Sequence, residues 1–216
     1  MNLGIVSPVK EQGQCGSCVA FASIAAIETC FKNFTGVFGD YSEQQLIDCG
    51  YNQEGANGCH GAPPHAYLTW AARDKIVLAS EAQYPYENLD PRLKCPAVVP
   101  VFNQGARITN SYYTYQGDET LMKKLVYQHG ALVAAVKSQG PFSLYEGGVF
   151  AGCPPTERVD HAITVVGYGR ERGLDYWLIK NSWGPYWGEN GFIKLQRGVN
   201  MCGIGRSITT VSCGPF

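Results

Sequence analysis

Residues 19–27 restrict the fold of this chain most strongly, because they are apolar on nearly every side of a helix and contain neither Pro nor Gly. Such a run predicts a buried helix, central to its domain. A turn rich in Gly and Gln precedes it, so Ser17 is the predicted N-cap and Cys18 the first helical residue. The helix is predicted to reach about residue 34, with Gly36 at its C′ position. Cys18 then lies at the positive end of the helix dipole, which favours a thiolate over a thiol.

Two short helices are predicted in the rest of the first half. The sequence Ser-Glu-Gln-Gln that begins at Ser42 is a capping box, and it predicts a helix that continues to Cys49. Residues 50–61 are rich in Gly and Asn and are predicted to form a loop. A Pro-Pro dipeptide then opens a third helix over residues 65–73. Residues 79–105 contain several Pro and predict an irregular crossing segment.

The second half is predicted to be mainly β. Asp118 is the expected cap of one more helix, which ends near Gly130. Segments rich in Val, Ile and Tyr predict strands at residues 107–115, 132–136, 162–168, 176–181, 192–196 and 207–211. Helices followed by antiparallel strands form an α+β pattern with two lobes and a cleft between them. We expect one domain over residues 1–216, with a mainly helical lobe at about 12–105, a mainly β lobe at about 106–211, and terminal segments that cross over.

Charge and hydropathy argue against several classes of function. The net charge of −1 gives no electrostatic reason to bind nucleic acid or an anionic membrane. No apolar stretch reaches the length of a membrane span. Residues 1–10 lack the continuous apolar region of a signal peptide. We therefore expect no nucleic-acid partner and no membrane partner.

Nine cysteines are dispersed along the chain, which suits four disulfides and one free thiol better than a compact metal site. We expect no metal and no cofactor. Disulfides indicate an oxidising route, so the protein is expected to be secreted or lysosomal. The sequon at Asn33 fits that route if it carries a glycan. For the pair Cys15-x-x-Cys18, a redox motif would need a βαβ context and a zinc site a second such pair, and the sequence pattern supplies neither.

A cysteine nucleophile needs a base, a group that orients the base, and donors for an oxyanion. The chain has four His. His129, at a predicted helix end, is expected to be a solvated charge, and His60 and His65 flank a turn and are expected at the surface. His161 opens an apolar strand, where a polar residue is either satisfied by hydrogen bonds or functional. The pattern alone leaves both interpretations open.

Asn181 and Trp183 follow another predicted strand. Asn181 could accept a hydrogen bond from one ring nitrogen of His161 and so fix its tautomer. Trp183 could shield that hydrogen bond from water. The alternative is a turn built by Asn and Gly beside a core Trp, and this segment taken alone would favour that alternative.

Taken together, four motifs resemble the papain family of cysteine peptidases, on the cathepsin L-like side. The motifs are Gln12…Cys15-Gly16-Ser17-Cys18, Tyr41-Ser42-Glu43-Gln44-Gln45-Leu46, Asp160-His161-Ala162, and Lys180-Asn181-Ser182-Trp183-Gly184. The resemblance covers nearly the whole chain. It implies a papain-like α+β fold with a helical left lobe, an antiparallel β-barrel-like right lobe and an active-site cleft between them. It also implies a cysteine endopeptidase that is made as a zymogen.

The resemblance implies a role for each of four residues. Cys18 is the nucleophile, and His161 is its ion-pair partner and general acid/base. Asn181 orients His161. Gln12 contributes its side-chain amide to the oxyanion hole, beside the backbone N–H of Cys18. Attack on a peptide carbonyl then gives a thioester that water hydrolyses.

The disulfide pairing also follows from the resemblance. The family pattern pairs Cys15 with Cys59, Cys49 with Cys95, and Cys153 with Cys202. Cys30 and Cys213 remain, and a fourth bridge between them is slightly preferred over two free thiols. The resemblance further implies a protein or peptide substrate, a cystatin-like inhibitor or a propeptide as partner, and a monomer.

The family's second subsite maps onto a small, uncharged and mostly apolar set, namely Pro63, Pro64, Ala135, Val159, Ala162 and Ser207. Asp160 and Trp183 are further expected substrate-binding residues. We predict an aliphatic or aromatic side chain two positions before the cleaved bond, and no preference for Arg, because no acid lies at the pocket base. Gly61 and Ala62 are expected to pair with the extended substrate through their main chain.

Two substitutions distinguish this chain from the family pattern. Val19 replaces the aromatic residue that normally follows the nucleophile, and Ala62 replaces a Gly. Two alternatives to a peptidase therefore stay open. One is a binding or storage homologue with little turnover, and the other is an acyltransferase that uses the same cysteine-histidine chemistry.

Overall fold

The computed structural model describes residues 3–88, 95–97, 99, 106–116, 118–156 and 158–215. Four α-helices lie in these ranges. They are α1 (Cys18–Thr35), α2 (Glu43–Cys49), α3 (Ala66–Arg73) and α4 (Glu119–His129). Each was predicted, and no predicted start or end differs from the structure by more than about one residue.

Helix α1 is the buried helix that the apolar run predicts. Its residues from Val19 to Phe31 are all buried, and it ends where Gly36 adopts a left-handed conformation with φ of 76°. Ser17 is the N-cap residue of α1, as predicted, but its side chain makes no capping hydrogen bond. The Ser17 hydroxyl lies 2.9 Å from the Tyr86 hydroxyl, and only the Ser17 carbonyl takes part in the first helical turn.

Helices α2 and α4 begin at side-chain caps, whereas α3 has no side-chain capping hydrogen bond. Ser42 Oγ accepts a hydrogen bond from the Gln45 backbone N–H at 3.0 Å, so the first half of the predicted capping box is present. The second half is not, because the Gln45 side chain binds the backbone of Val77 and Ala79 instead. Asp118 caps α4 as predicted by accepting from the N–H of Leu121.

Seven strands form one sheet in the described residues. They are β1 (Ala106–Thr114), β2 (Leu132–Val136), β3 (Val149–Phe150), β4 (His161–Glu171), β5 (Leu174–Lys180), β6 (Phe192–Gln196) and β7 (Ile208–Pro215). The order is β1-β7-β2-β4-β5-β6-β3, and every pair is antiparallel except β3 with β6. The expected barrel-like lobe is therefore corrected to an open sheet, in which β1 and β3 are the two edges. The two-residue strand β3 was not predicted.

Two hydrophobic clusters occupy the interior of the described structure. One surrounds α1, and it includes α2, α3 and apolar side chains of the sheet such as Val133 and Val211. The other lies between α4 and the opposite face of the sheet, around Trp177 and Phe142. The α+β class is confirmed. Helix α1 lies against β4, which brings the N-terminal end of the helix to the strand that begins with His161.

The nine cysteines all lie in described residues. The structure pairs Cys15 with Cys59, Cys30 with Cys213, Cys49 with Cys95, and Cys153 with Cys202. Cys18 remains as the free thiol. Within the described ranges, no group of His, Cys, Asp or Glu has the arrangement of a metal site.

Two expectations concern the remaining chain. The predicted irregular segment 79–105 falls partly outside the described residues, since 89–94, 98 and 100–105 are not described. Asn33 is exposed in the last turn of α1, and its glycosylation stays a prediction. No helix in the described part of the chain is both long and apolar enough to cross a membrane.

Candidate active site

Cys18 is the first residue of α1, and the loop before it is tied to a second loop. The Cys15–Cys59 disulfide joins the two loops, and the Gly16 N–H donates to the Cys59 carbonyl at 2.9 Å. A Cβ at Gly16 would lie 2.3 Å from that carbonyl oxygen, so the close approach requires glycine. The disulfide and this hydrogen bond together fix the position of the helix end that carries the Cys18 thiol.

His161 and Asn181 meet because β4 and β5 are antiparallel neighbours. His161 begins β4, Asn181 follows the last residue of β5, and His161 Nε2 lies 2.8 Å from Asn181 Oδ1. The same oxygen accepts the Ser182 backbone N–H at 2.9 Å, which fixes the orientation of the amide. Because this oxygen can only accept, Nε2 is the protonated nitrogen, and Nδ1 is left for chemistry.

Trp183 covers this hydrogen bond. Its ring stacks on the His161 imidazole, with a centroid separation of 4.6 Å and an interplanar angle of 28°. Phe142 and Trp187 pack edge-to-face against the Trp183 ring and hold it in place. The imidazole is therefore fixed by a hydrogen bond at its edge and by an aromatic ring on one face.

Gln12 lies next to the nucleophile loop. Its side-chain Nε2 donates to the Cys15 carbonyl at 2.9 Å, and its Oε1 accepts from the Ser182 hydroxyl at 2.6 Å. Its backbone N–H also donates to the Ser182 carbonyl at 2.9 Å. The Gln12 amide thus connects the loop that carries Cys18 with the turn that follows Asn181.

Burial is the largest cause of the pKa shifts of Cys18 and His161. It raises the pKa of the Cys18 thiol, against the lowering effect of the backbone N–H groups of Ala162 and Val19. It lowers the pKa of His161, against the raising effects of the Asn181 hydrogen bond and the Asp160 charge. Both shifts favour the neutral thiol and imidazole in the unliganded groove. This differs from the sequence expectation of a thiolate, because position at a helix end was considered there without desolvation.

A cavity of about 290 Å³ lies beside the two groups. Its lining residues are Cys18, Val19, His60, Gly61, Ala62, Pro64, Ala135, Val159, Asp160, His161 and Ala162. Most of the predicted substrate-binding residues are in this set, whereas Pro63, Trp183 and Ser207 are not. Ser207 is buried, and its carbonyl accepts from the N–H of Ala135, so it supports the cavity wall from behind.

Two of the other three histidines, His65 and His129, differ from their predictions. His65 is not a surface residue, because its ring stacks on Tyr113 at 4.3 Å and its Nδ1 lies 2.9 Å from the Tyr115 hydroxyl. His129 is half-buried instead of fully solvated, and burial lowers its pKa. His60 is exposed as predicted, but it also lines the cavity. His60 lies between Cys59 and Gly61 in the sequence, and this neighbourhood is the signal that could have indicated its place at the cavity.

A buried ionic cluster behind the site was missed. Lys10 contacts Glu28 at 3.3 Å and Glu43 at 2.9 Å, and Lys180 donates to the Ser7 hydroxyl at 2.7 Å. The Ser7 hydroxyl in turn donates to Glu28. Burial raises the pKa of Glu43 to about 8 and lowers that of Lys180 to about 8. A lysine at the end of an otherwise apolar strand segment was the signal that could have revealed this cluster.

Comparisons with known proteins agree with this geometry. The family model described as papain family cysteine protease matches residues 2–212. A cathepsin L-like proteinase of Fasciola hepatica is 37% identical over 207 residues, which cover 93% of this chain and 60% of that protein. The thiol protease aleurain of Arabidopsis thaliana is 40% identical over 207 residues, with 93% of this chain and 55% of that protein covered.

A solved structure gives the same result for the fold. The bromelain protease from Ananas comosus, in complex with the E64 inhibitor, has a TM-score of 0.84 and 34% identity, and the match covers 98% of this chain and 95% of that one. The chain spans at most about three-fifths of the length of the curated relatives named above. The family model and these relatives agree over nearly the whole chain, which belongs to the papain family of cysteine proteases.

Proposed function

We propose that this chain is a cysteine endopeptidase in which Cys18 and His161 carry the reaction. The observation that supports this most directly is the single cavity lined by both side chains, with the His161 ring held by Asn181 at 2.8 Å. Cys18 is also the only cysteine that the structure leaves unpaired, and all nine are described. Membership of the papain family supports the same activity.

The proposed reaction begins with transfer of the Cys18 thiol proton to His161 Nδ1. The sulfur attacks the peptide carbonyl carbon, and the oxyanion is stabilised by the Cys18 backbone N–H and the Gln12 amide. The tetrahedral intermediate collapses, the C–N bond breaks, and the imidazolium gives its proton to the departing amine. Water then attacks the thioester, again with His161 as the base, and releases the acid and the free thiol.

Burial is compatible with this first step. Proton transfer from the thiol to the imidazole creates two opposite charges, and their mutual attraction offsets part of the cost of desolvating them. The Asn181 hydrogen bond and the Asp160 charge both raise the pKa of His161 and stabilise the imidazolium once it forms. The backbone N–H groups of Ala162 and Val19 stabilise the thiolate in the same way.

The cavity supports a preference for an apolar side chain two positions before the cleaved bond. Val19, Ala135 and Ala162 on its wall are each 3% exposed. Asp160 lines the cavity, but its Oδ1 accepts both the backbone N–H and the hydroxyl of Ser138. An arginine there would gain little from this engaged carboxylate, so we expect apolar side chains to be preferred.

Four disulfides favour an oxidising location, and we propose that the protein is secreted or lysosomal. Its substrates would be proteins or peptides in extended form, and inhibitors of the cystatin type or a propeptide would compete for the same groove. We also propose one monomeric domain with a mainly helical and a mainly β lobe.

The test combines labelling with turnover. Titration with iodoacetamide or E-64 at about pH 5 should label one thiol, and the rate at which a Phe-Arg fluorogenic peptide is hydrolysed should fall in proportion to the labelled fraction. Cys18→Ala should lose both signals while keeping its fold. Labelling without turnover would favour the binding or storage alternative. Transfer of the acyl group to an added amine in preference to water would favour the acyltransferase.

A further inference from the structure

Tyr86 contacts both of the segments that supply the proposed oxyanion donors. Its hydroxyl lies 2.6 Å from the Gln12 carbonyl oxygen and 2.9 Å from the Ser17 hydroxyl. A carbonyl oxygen can only accept, so the single phenolic proton goes to Gln12, and the Ser17 hydroxyl donates to Tyr86. Gln12 carries the side-chain amide of the proposed oxyanion hole, and Ser17 directly precedes the N–H of Cys18. One phenol oxygen therefore joins the two sides of the hole.

The Tyr86 ring is fixed independently of these two hydrogen bonds. Phe21 of α1 packs edge-to-face with it, at a centroid separation of 4.8 Å and an interplanar angle of 89°. The Tyr86 backbone N–H donates to Glu81 Oε1 at 2.7 Å. The next N–H along the chain, that of Glu87, donates to Gln44 Oε1 of α2 at 3.0 Å. The hydroxyl is therefore held by a segment that is anchored on both its backbone and its ring.

Asn88 adds a second contact with the loop that precedes α1. Its Oδ1 accepts from the Cys15 N–H at 3.0 Å. Gly13 approaches it so closely that a Cβ there would lie 2.6 Å from the Asn88 side-chain nitrogen. Asn88 Oδ1 is also 3.5 Å from the Tyr86 hydroxyl, which is too long to compete with the bond to Gln12. The segment that carries Tyr86 thus holds the loop at more than one point.

The Tyr86 phenol stays protonated in the pH range of an assay. Burial raises the pKa of Tyr86, whereas the hydrogen bond from Ser17 lowers it. The charges of Glu43 and Glu81 raise it further, and the shift that results is upward. The ordinary pKa of a tyrosine is already about 10, so the hydroxyl keeps the proton that it donates to Gln12.

We propose that Tyr86 is a positioning residue of the oxyanion hole, which sets the Gln12 amide and the Cys18 N–H in the arrangement that the tetrahedral intermediate requires. This inference rests on the proposed peptidase function and deepens it by adding a residue that acts through Gln12 and Ser17. Donors that are already in place stabilise an oxyanion best, because nothing has to reorganise as the charge develops. Without the phenol oxygen, the two donors lose the group that connects them.

The test compares Tyr86→Phe with the parent chain in two reactions of the same sulfur. The variant keeps the ring that packs on Phe21 and removes only the hydroxyl. For a Phe-Arg fluorogenic peptide, kcat and kcat/KM should both fall about tenfold, less than the roughly 100- to 1,000-fold that follows loss of an oxyanion donor itself. Alkylation of Cys18 by iodoacetamide should keep the rate of the parent, because displacement of iodide develops no oxyanion.

A second readout does not depend on turnover. A p-nitrophenyl ester of a peptide acylates the Cys18 sulfur and releases p-nitrophenolate in a burst, even when the thioester is hydrolysed slowly. This acylation passes through a tetrahedral intermediate, so its rate should also fall about tenfold in Tyr86→Phe. The ratio of the acylation rate to the alkylation rate therefore reports on the oxyanion hole alone, since a general defect in the fold lowers both rates.

Ser17→Ala tests the other end of the same connection. It removes the hydroxyl that donates to Tyr86 and leaves the bond from Tyr86 to Gln12, so the ratio should fall only about threefold. The double variant should lose no more than Tyr86→Phe alone, because both changes break one connection. If Tyr86→Phe does not fold, Ser17→Ala is judged by the same ratio, and an unchanged ratio would refute the proposal.

Tyr127→Phe is the matched control, because Tyr127 is exposed on α4, and it should equal the parent in both reactions. An unchanged ratio in Tyr86→Phe, or losses that multiply in the double variant, would overturn the inference. Failure of the peptidase function looks different. A parent that is acylated but does not turn over lacks that function, and the variants are then compared by their bursts. A parent that is alkylated but never acylated would refute both proposals.

Discussion

Asn181→Ala isolates the hydrogen bond that orients His161. The variant removes the acceptor that lies 2.8 Å from His161 Nε2 and leaves Nε2 without that partner in a site shielded by Trp183. A hydrogen bond to a charged group contributes about 1.5–3 kcal/mol. At 1.36 kcal/mol per tenfold change in rate, kcat/KM should fall by about 10- to 160-fold.

The pH profile of kcat/KM shows in which direction each Asn181 variant shifts the pKa of His161. The Asn181 hydrogen bond raises the pKa of His161, so its loss should lower that pKa and move the acidic limb of kcat/KM, where the base becomes protonated, to lower pH. Asn181→Asp keeps an acceptor and adds negative charge, so it should move the same limb to higher pH. A merely structural defect in the two variants would not shift the limb in opposite directions.

The assay is hydrolysis of a Phe-Arg fluorogenic peptide between pH 4 and 9, with active sites counted by irreversible labelling. Asn33→Ala is the matched control, since Asn33 is exposed at the far end of α1, and its profile should equal that of the parent. The reasoning is refuted if Asn181→Ala loses less than about threefold in kcat/KM, or if its acidic limb moves to higher pH.

Two further predictions concern stability. Burial raises the pKa of Glu43 from its ordinary value to about 8, so the folded state binds a proton that the unfolded state releases above about pH 4.5. The free energy of unfolding should therefore fall as pH rises from 4.5 to 8, with a slope of up to about 1.4 kcal/mol per pH unit, and Glu43→Gln should reduce that slope in urea titrations at pH 5 and 8. An unchanged slope would show that Glu43 is ionised throughout. Gly16→Ala places a Cβ 2.3 Å from the Cys59 carbonyl oxygen and should destabilise the fold by about 1–3 kcal/mol. It should also slow the alkylation of Cys18, and a variant as stable and as reactive as the parent would contradict the close packing of the two loops.

The helices and most strands could be predicted from sequence because their signals are local. The apolar run after Cys18 predicted a buried helix, and Gly36 marked its end correctly. Asp118 and Ser42 act as caps because a short polar side chain at a helix start has few alternative partners. Ser17 had an alternative partner, the Tyr86 hydroxyl, which is distant in sequence and therefore invisible to a local pattern.

The features that sequence reasoning missed depend on long-range contacts. The cluster of Lys10, Glu28 and Lys180 joins three distant segments, and none of them carries a periodic signal that predicts the others. Likewise, the burial of His65 depends on two tyrosines about fifty positions away. The directions of the pKa shifts at Cys18 and His161 were missed because desolvation is a property of the assembled groove.

The Cys30–Cys213 bridge, with a sequence separation of 183, joins the middle of α1 to the last strand and closes most of the polypeptide into a ring. Exposed surface loops are the preferred sites of proteolytic cuts. A single cut anywhere between these two cysteines linearises the ring without releasing a fragment. The nicked molecule therefore stays one covalent unit.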